Sequence, residues 1–193
     1  DGVALWPDQH GARRVDSGVA LITQSSNIAI NLTMQKRSLP IAYVLTAGNQ
    51  AQRDIAELGI AALEDTRVTA LGLHIEGIKD LRRFEVLAAR ARDLGKSIVA
   101  LIFVASEHAQ EATSSHSAAL AGSDAGARAL FRRLGVAQVE SLAELLETLK
   151  LLHVTGPLSS DRIASMSCSG GEASLVADTA LPRHLRFPPL DPS

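Results

Sequence analysis

Aromatic residues are scarce in this chain: one Trp, one Tyr and four Phe account for 3% of its 193 residues. The hydrophobic residues, 46% of the total, must therefore build the core from Ala, Val, Ile and Leu. Such a core suits helices that pack closely on a parallel sheet. The length fits one domain, or one domain and a piece of another.

Other absences exclude whole classes of protein. A single cysteine, Cys168, excludes an internal disulfide framework and gives no hint of secretion. No apolar run reaches the roughly 18 residues of a membrane span. A formal net charge of -2 implies neither nucleic acid nor a membrane surface as a partner. The chain begins at Asp1 rather than at Met, so we expect a piece of a longer protein. We expect a cytoplasmic location for that protein.

Strand-like and helix-like segments alternate five times between residues 18 and 153. The strands are predicted as short apolar runs between turn residues: 18–23, 41–47, 68–75, 97–104 and 136–140. Helices are predicted from periodicity and from capping residues: 28–38, 55–63, 81–95, 126–135 and 141–153. This alternation predicts an α/β fold, a five-stranded parallel doubly wound sheet of the flavodoxin-like type.

A further strand-like run and helix follow the five alternations of residues 18–153. Residues 1–17 form a polar opening segment, 18–155 the flavodoxin-like domain, and 156–193 a linker followed by one further strand-like run at 162–168 and one helix. One strand and one helix cannot bury a core by themselves. We therefore interpret 156–193 as the truncated start of a second α/β domain.

Two strand-to-helix turns are candidate anion sites, because ligands of doubly wound folds bind at the carboxyl ends of the strands. One turn contains Ser25, Ser26 and Asn27, and the other contains Ser169, Gly170 and Gly171. Exposed N–H groups and the helix dipole favour an anion at such places. An ordinary helix cap and a tight turn are the alternatives, and residue spacing alone favours them.

His116 lies in a run of small residues, SSHSAALAGSD, and Glu76 follows the third predicted strand. An imidazole can act as a base, a nucleophile or a metal ligand. No second His or Cys stands at ligand spacing near His116, so no metal site is predicted. Composition alone favours a solvated or hydrogen-bonded His116. A solvated acid at the end of a strand is the alternative for Glu76, and the position of His74 inside a strand favours a packing role.

Several motifs in the same order resemble one family. GVALITQSSNIAINL is similar to the strand–SQSG–helix of the NDP-forming acyl-CoA synthetases (acetate–CoA ligase, ADP-forming), relatives of the succinyl-CoA synthetase alpha chain. SSHSAALAGSD resembles their SHTGSLAGSD, and RIASMSCSGGEASLVAD resembles their NAGG turn and helix. The resemblance runs from about residue 18 to 180 and implies the flavodoxin-like ligase-CoA domain.

The resemblance implies roles for the candidate residues. His116 would be the nucleophile that carries a phosphoryl group, and Glu76 the carboxylate that orients it. The turns at Ser25-Ser26-Asn27 and Ser169-Gly170-Gly171 would hold the phosphate. The substrates would be a small carboxylic acid, CoA and ATP/ADP with Mg. CoA-binding and ATP-grasp domains of the same protein would be the partners, with a possible homodimer, and the fragment alone would be inactive.

Three departures from the family pattern leave an alternative open. The family's Lys-x-Gly-Arg run is absent from residues 101–106, Ala118 replaces a glycine beside the histidine, and TQSS at residues 23–26 replaces SQSG, with Ser26 in place of the glycine. A catalytically degenerate relative that acts as a regulatory or interaction domain is therefore the second interpretation. A flavodoxin-type redox module is disfavoured, because a flavin needs aromatic stacking partners.

Overall fold

A computed structural model of the chain describes residues 10–102 and 124–189. Internal contacts divide the chain into two units, residues 1–157 and 158–193. The sequence places this boundary after residue 155 and assigns the second part to a truncated domain, which stays a prediction. Each unit is described by itself below.

The first unit contains a five-stranded, all-parallel sheet in the order β2-β1-β3-β4-β5. Its strands are β1 Gly18–Thr23, β2 Ile41–Thr46, β3 Val68–Ile75, β4 Ser97–Ile102 and β5 Ala137–Val139. The predicted flavodoxin-like α/β fold is confirmed. Residues 103 and 104, predicted as the end of the fourth strand, lie outside the described residues, and the fifth strand is shorter at both ends than 136–140.

Helices cover both faces of this sheet. The described helices of the first unit are α1 Ser26–Met34, α2 Ile55–Glu64, α3 Leu81–Asp93, α4 Asp124–Leu134 and α5 Leu142–Thr155. Side chains cap four of their N-termini: Ser25 for α1, Asp54 for α2, Asp80 for α3 and Ser141 for α5. An oxygen on each of these residues accepts hydrogen bonds from N–H groups that the helix leaves free.

The strands read as continuous apolar runs because both faces are buried. Successive side chains of a strand point to opposite faces, and β1 therefore contributes to two cores. Ala20 and Ile22 belong to the cluster that contains residues of α2, α3 and α4. Val19 and Leu21 belong to the cluster that contains residues of α1 and α5. The interior strand β1 is thus packed against helices on both faces of the sheet.

The predicted first helix, 28–38, differs from the structure at both ends. Helix α1 begins two residues earlier, because Ser25 already acts as its N-cap. It ends at Met34, since the chain must turn to enter β2. Ser38 adopts a left-handed conformation with φ 58°, and Pro40 disfavours helical geometry in the residue before it.

The second unit contains helix α6, Gly170–Ala180, and a 3-10 turn, Leu181–Arg183. The strand predicted at 162–168 is wrong: Arg162 forms one isolated bridge with Arg186, and the remaining residues are not in a strand. A strand needs a neighbour along its length, and the described part of this unit offers none. Ala180 is the one buried hydrophobic residue among its described residues.

Candidate functional site at the carboxyl edge of the sheet

Ser25, Ser26, Asn27 and Glu76 lie where β1 and β3 end. The two strands are neighbours, and their last paired residues are Thr23 and His74. Helix α1 starts directly after β1, and Glu76 is the first residue after β3. The parallel register therefore brings the α1 N-terminus and Glu76 to one edge, as the sequence predicts.

The first turn of α1 has the features of an anion-binding helix end. The Ser25 hydroxyl accepts from the Ile28 N–H at 3.4 Å. Ser26 and Asn27, the first two helical residues, are exposed, and the first turn contains no acidic residue. The positive end of the helix dipole is therefore not offset by a carboxylate of its own turn.

Helix α6 in the second unit presents a different N-terminus. Ser169 is its N-cap, and its hydroxyl accepts from the Glu172 N–H at 3.2 Å. The Glu172 carboxylate folds back and accepts from the Cys168 N–H at 3.0 Å. Ser169, Gly170 and Gly171 are exposed. The carboxylate close to this helix end offsets part of the dipole, so α6 is electrostatically the weaker of the two predicted anion sites.

Glu76 is half-buried, and its backbone is held by Gln24. The Gln24 side-chain carbonyl accepts from the N–H groups of Glu76 and of Gly77, the latter at 3.0 Å. The amide group of Gln24 donates to the Gly77 carbonyl at 2.9 Å. Sequence reasoning does not single out Gln24, because its partners lie 52 and 53 residues further along the chain.

His74 is buried, as its place in a strand predicts, and it lies beneath this edge. Its Nδ1 is 3.1 Å from the hydroxyl oxygen of Thr23, which also accepts from the Ser25 N–H at 3.0 Å. Burial lowers the pKa of His74, because a low-dielectric environment disfavours the charged imidazolium. The ring therefore supports the turn before α1 as a neutral group at neutral pH.

The predicted nucleophile His116 lies outside the described residues, as do Ala118 and residues 103–106 of the departures from the family pattern. Within residues 10–102 and 124–189, no group of three or more His, Cys, Asp and Glu side chains could hold a metal ion. In the same ranges, no helix is long and apolar enough to cross a membrane.

Comparison with known proteins identifies the family. Residues 16–152 match the model of the succinyl-CoA ligase like flavodoxin domain. The chain belongs to this family. The resemblance to ADP-forming acetate–CoA ligases is confirmed as well, because curated relatives with that name align over most of the chain.

Two of these relatives are archaeal. The chain is 33% identical over 177 residues to the alpha subunit of acetate–CoA ligase [ADP-forming] II of Pyrococcus furiosus, covering 90% of the chain and 38% of the relative. It is 28% identical over 172 residues to an acetate–CoA ligase [ADP-forming] of Methanocaldococcus jannaschii, covering 88% of the chain and 24% of the relative. This member of the family thus spans less than half of the relatives it matches.

A solved structure shares the fold. It is that of a dinucleotide forming acetyl-coenzyme A synthetase 1 from Ca. Korarchaeum cryptofilum, in complex with phosphate and ADP. The TM-score is 0.79 with 23% sequence identity, and the match covers 92% of this chain and 39% of that one. At this identity the match supports the fold of the succinyl-CoA-ligase-like domain.

Proposed function

We propose that this chain is the phosphohistidine-bearing part of an NDP-forming acyl-CoA synthetase, which converts an acid, CoA and ATP to acyl-CoA, ADP and phosphate. The observation that carries the proposal is the meeting of the acid-free N-terminus of α1 with Glu76 at one edge of the sheet. An anion-binding helix end and a carboxylate that orients an imidazole are the two groups that a phosphohistidine needs.

The proposed chemistry is that of acyl-CoA cleavage, the reverse of the reaction above, and synthesis of acyl-CoA takes the same steps backwards. Phosphate attacks the acyl-CoA thioester and forms an acyl phosphate, with CoA as the leaving thiol. An imidazole nitrogen of His116 then attacks phosphorus, and the P–O bond to the acyl group breaks to release the carboxylate. The phosphoryl group finally passes from His116 to a nucleoside diphosphate. The N–H groups of Ser26 and Asn27 would stabilise the phosphoryl oxygens. The N–H groups at Ser169-Gly170-Gly171, which belong to the second unit, would also stabilise them.

The proposal assigns the remaining parts to other domains. CoA and ATP/ADP would bind to CoA-binding and ATP-grasp domains of the same protein, and the chain alone would be inactive. Magnesium would accompany the nucleotide there. The substrate would be a small carboxylic acid.

Phosphorylation of the full-length gene product tests the proposal. With γ-labelled ATP at neutral pH we expect an acid-labile label that is lost in His116→Ala and retained in the control His10→Ala, since His10 is an exposed residue away from the site. Glu76→Gln should slow labelling. Label that persists in His116→Ala would overturn the assignment of His116. No label and no thioester formed from a panel of short acids would support the degenerate regulatory relative instead.

A further inference from the structure

Gln24 connects the two halves of the proposed site through its side chain. The residue is 9% exposed, and all of its observed side-chain hydrogen bonds go to the backbone of the turn after β3. The pairing of β1 with β3 ends at Thr23 and His74. Gln24 is the next residue after Thr23, and its side-chain amide bonds to the neighbouring turn as a strand backbone would. Its oxygen accepts from two N–H groups of that turn, and its NH2 group donates to one carbonyl.

The same turn is also held from the β2 side. Gln50 is buried, and its amide group donates to the Gly77 carbonyl at 3.2 Å. The Gln50 side-chain oxygen accepts from the Ile55 N–H at 3.1 Å, and its backbone carbonyl accepts from Lys79 at 3.0 Å. The Gly77 carbonyl therefore receives donors from the loops after two different strands. Of these two glutamines, only Gln24 also contacts the Glu76 backbone.

These contacts fix Glu76 relative to α1. Gln24 immediately precedes Ser25, the N-cap of α1, so a shift of the α1 N-terminus must move Gln24 or break its hydrogen bonds. The Glu76 carboxylate is attached to the backbone that Gln24 holds. The Gln24 side chain therefore links the helix end that would hold the phosphoryl group to the backbone that carries the carboxylate that would orient the imidazole.

We propose that Gln24 is a positioning residue for phosphoryl transfer, acting through Glu76. This inference rests on the proposed function of His116 and Glu76. We assign Gln24 no contact with the reacting atoms, because it is 9% exposed and its observed side-chain hydrogen bonds go to the turn after β3. Its contribution is geometric, and misplacement of a catalytic group by about 1 Å can slow a reaction on the order of 100-fold.

Single-turnover labelling of the full-length protein with γ-labelled ATP tests the inference. In Gln24→Met, which has a similar length and lacks the amide, we expect labelling of His116 to slow by about 10- to 100-fold with an unchanged KM for ATP. Gln24→Glu keeps an acceptor for the two N–H groups and loses the donor, so it should lie between Met and wild type. If Gln24→Met does not fold, the rate of Gln24→Glu alone tests the inference. Gln35→Met, at an exposed glutamine after α1, is the matched control and should label like wild type.

Combination with Glu76→Gln separates positioning from a general structural role. If Gln24 acts through Glu76, Gln24→Met should add little to the defect of Glu76→Gln, because the effects of coupled residues are not additive. Wild-type rates in both Gln24 variants, or a full further loss in the double variant, would overturn the inference while His116→Ala and Glu76→Gln still support the proposed function. Label that persists in His116→Ala would overturn both.

Discussion

The Thr23 hydroxyl and the His74 ring form a buried pair between neighbouring strands, with Oγ1 and Nδ1 3.1 Å apart. Thr23 Oγ1 also interacts with the backbone N–H and carbonyl of Ser25, at 3.0 and 3.1 Å. The pair thus ties the ends of β1 and β3 to the residue that caps α1. The hydrogen bonds of Thr23 therefore help to hold the N-terminus of α1 in place next to the end of β3.

Replacing Thr23 by Val tests how much this pair stabilises the fold. Valine matches threonine in shape, and the change leaves a polar atom of His74 and the Ser25 N–H without the hydroxyl. An unsatisfied buried polar group costs about 1–3 kcal/mol, so we expect the free energy of unfolding to fall by about that amount in urea titrations. Thr46→Val, at an exposed position of β2, is the matched control and should change stability by less than about 0.5 kcal/mol. Equal effects of the two substitutions would contradict the assignment.

The lowered pKa of His74 predicts a pH dependence of stability. Burial disfavours the imidazolium in the folded protein, whereas the unfolded chain takes up a proton near pH 6.5. The unfolded state therefore binds more protons as the pH falls. The stabilisation is complete above about pH 6.5 and is lost as the pH falls towards the folded pKa.

His74→Asn separates this titration from the hydrogen bond. The Asn amide reaches the place of Nδ1 and has no proton to gain in this range. We expect urea midpoints of the wild type to fall between about pH 6.5 and 5 and those of His74→Asn to fall less. His10→Asn, at an exposed histidine, should follow the wild type. Parallel curves for wild type and His74→Asn would rule out His74 as the source.

The sheet could be predicted because its signals are local. Runs such as 18–23 and 68–75 are mostly apolar, as is typical of strands buried on both faces. Asp54, Asp80 and Ser141 indicate where helices begin, because their side chains can cap a helix. The run at 162–168 contains an arginine and two serines and is not a strand in the structure. Strand formation depends on a partner that the run itself does not specify.

The candidate site could be predicted only in part. Topology alone places Glu76 beside the turn at Ser25, since parallel strands end at one edge. Gln24 and Gln50 carry no local signal: glutamine is mostly an exposed residue, and the peptide that both contact lies 53 and 27 residues away along the chain. Buried polar side chains of this kind are recognised by their partners, and partners become visible only in the folded chain.

Gly72 in the central strand β3 leaves room for a helix side chain. A Cβ added there would lie 2.5 Å from Leu149 Cδ1 and 2.7 Å from Leu21 Cδ2, and both leucines are fully buried. Gly72→Ala should therefore destabilise the domain by about 1–3 kcal/mol through overpacking. Leu149→Ala alone should cost about 2–5 kcal/mol through a cavity. In the double variant the added methyl group enters that cavity, so we expect a smaller loss than the sum. Additive losses in urea unfolding would show that the close approach is relieved elsewhere.

Asp54 offers a test of the capping interactions that fix the start of α2. Its Oδ1 accepts from the N–H groups of Ala56 and Glu57 at 3.0 and 2.9 Å, and the Glu57 carboxylate accepts from the Asp54 N–H at 3.2 Å. Asp54→Ala should lower the free energy of unfolding by about 1–2 kcal/mol. Asp54→Asn keeps the acceptor oxygen and loses the charge that pairs with Arg83 at 3.2 Å. Because that arginine is more than half exposed, the Asn variant should lose less than about 1 kcal/mol.

Asp93→Ala, at the exposed end of α3, is the control for Asp54→Ala and should leave urea unfolding unchanged. Equal losses of stability in Asp54→Ala and Asp54→Asn would show that the ion pair with Arg83, and not the cap, stabilises the start of α2.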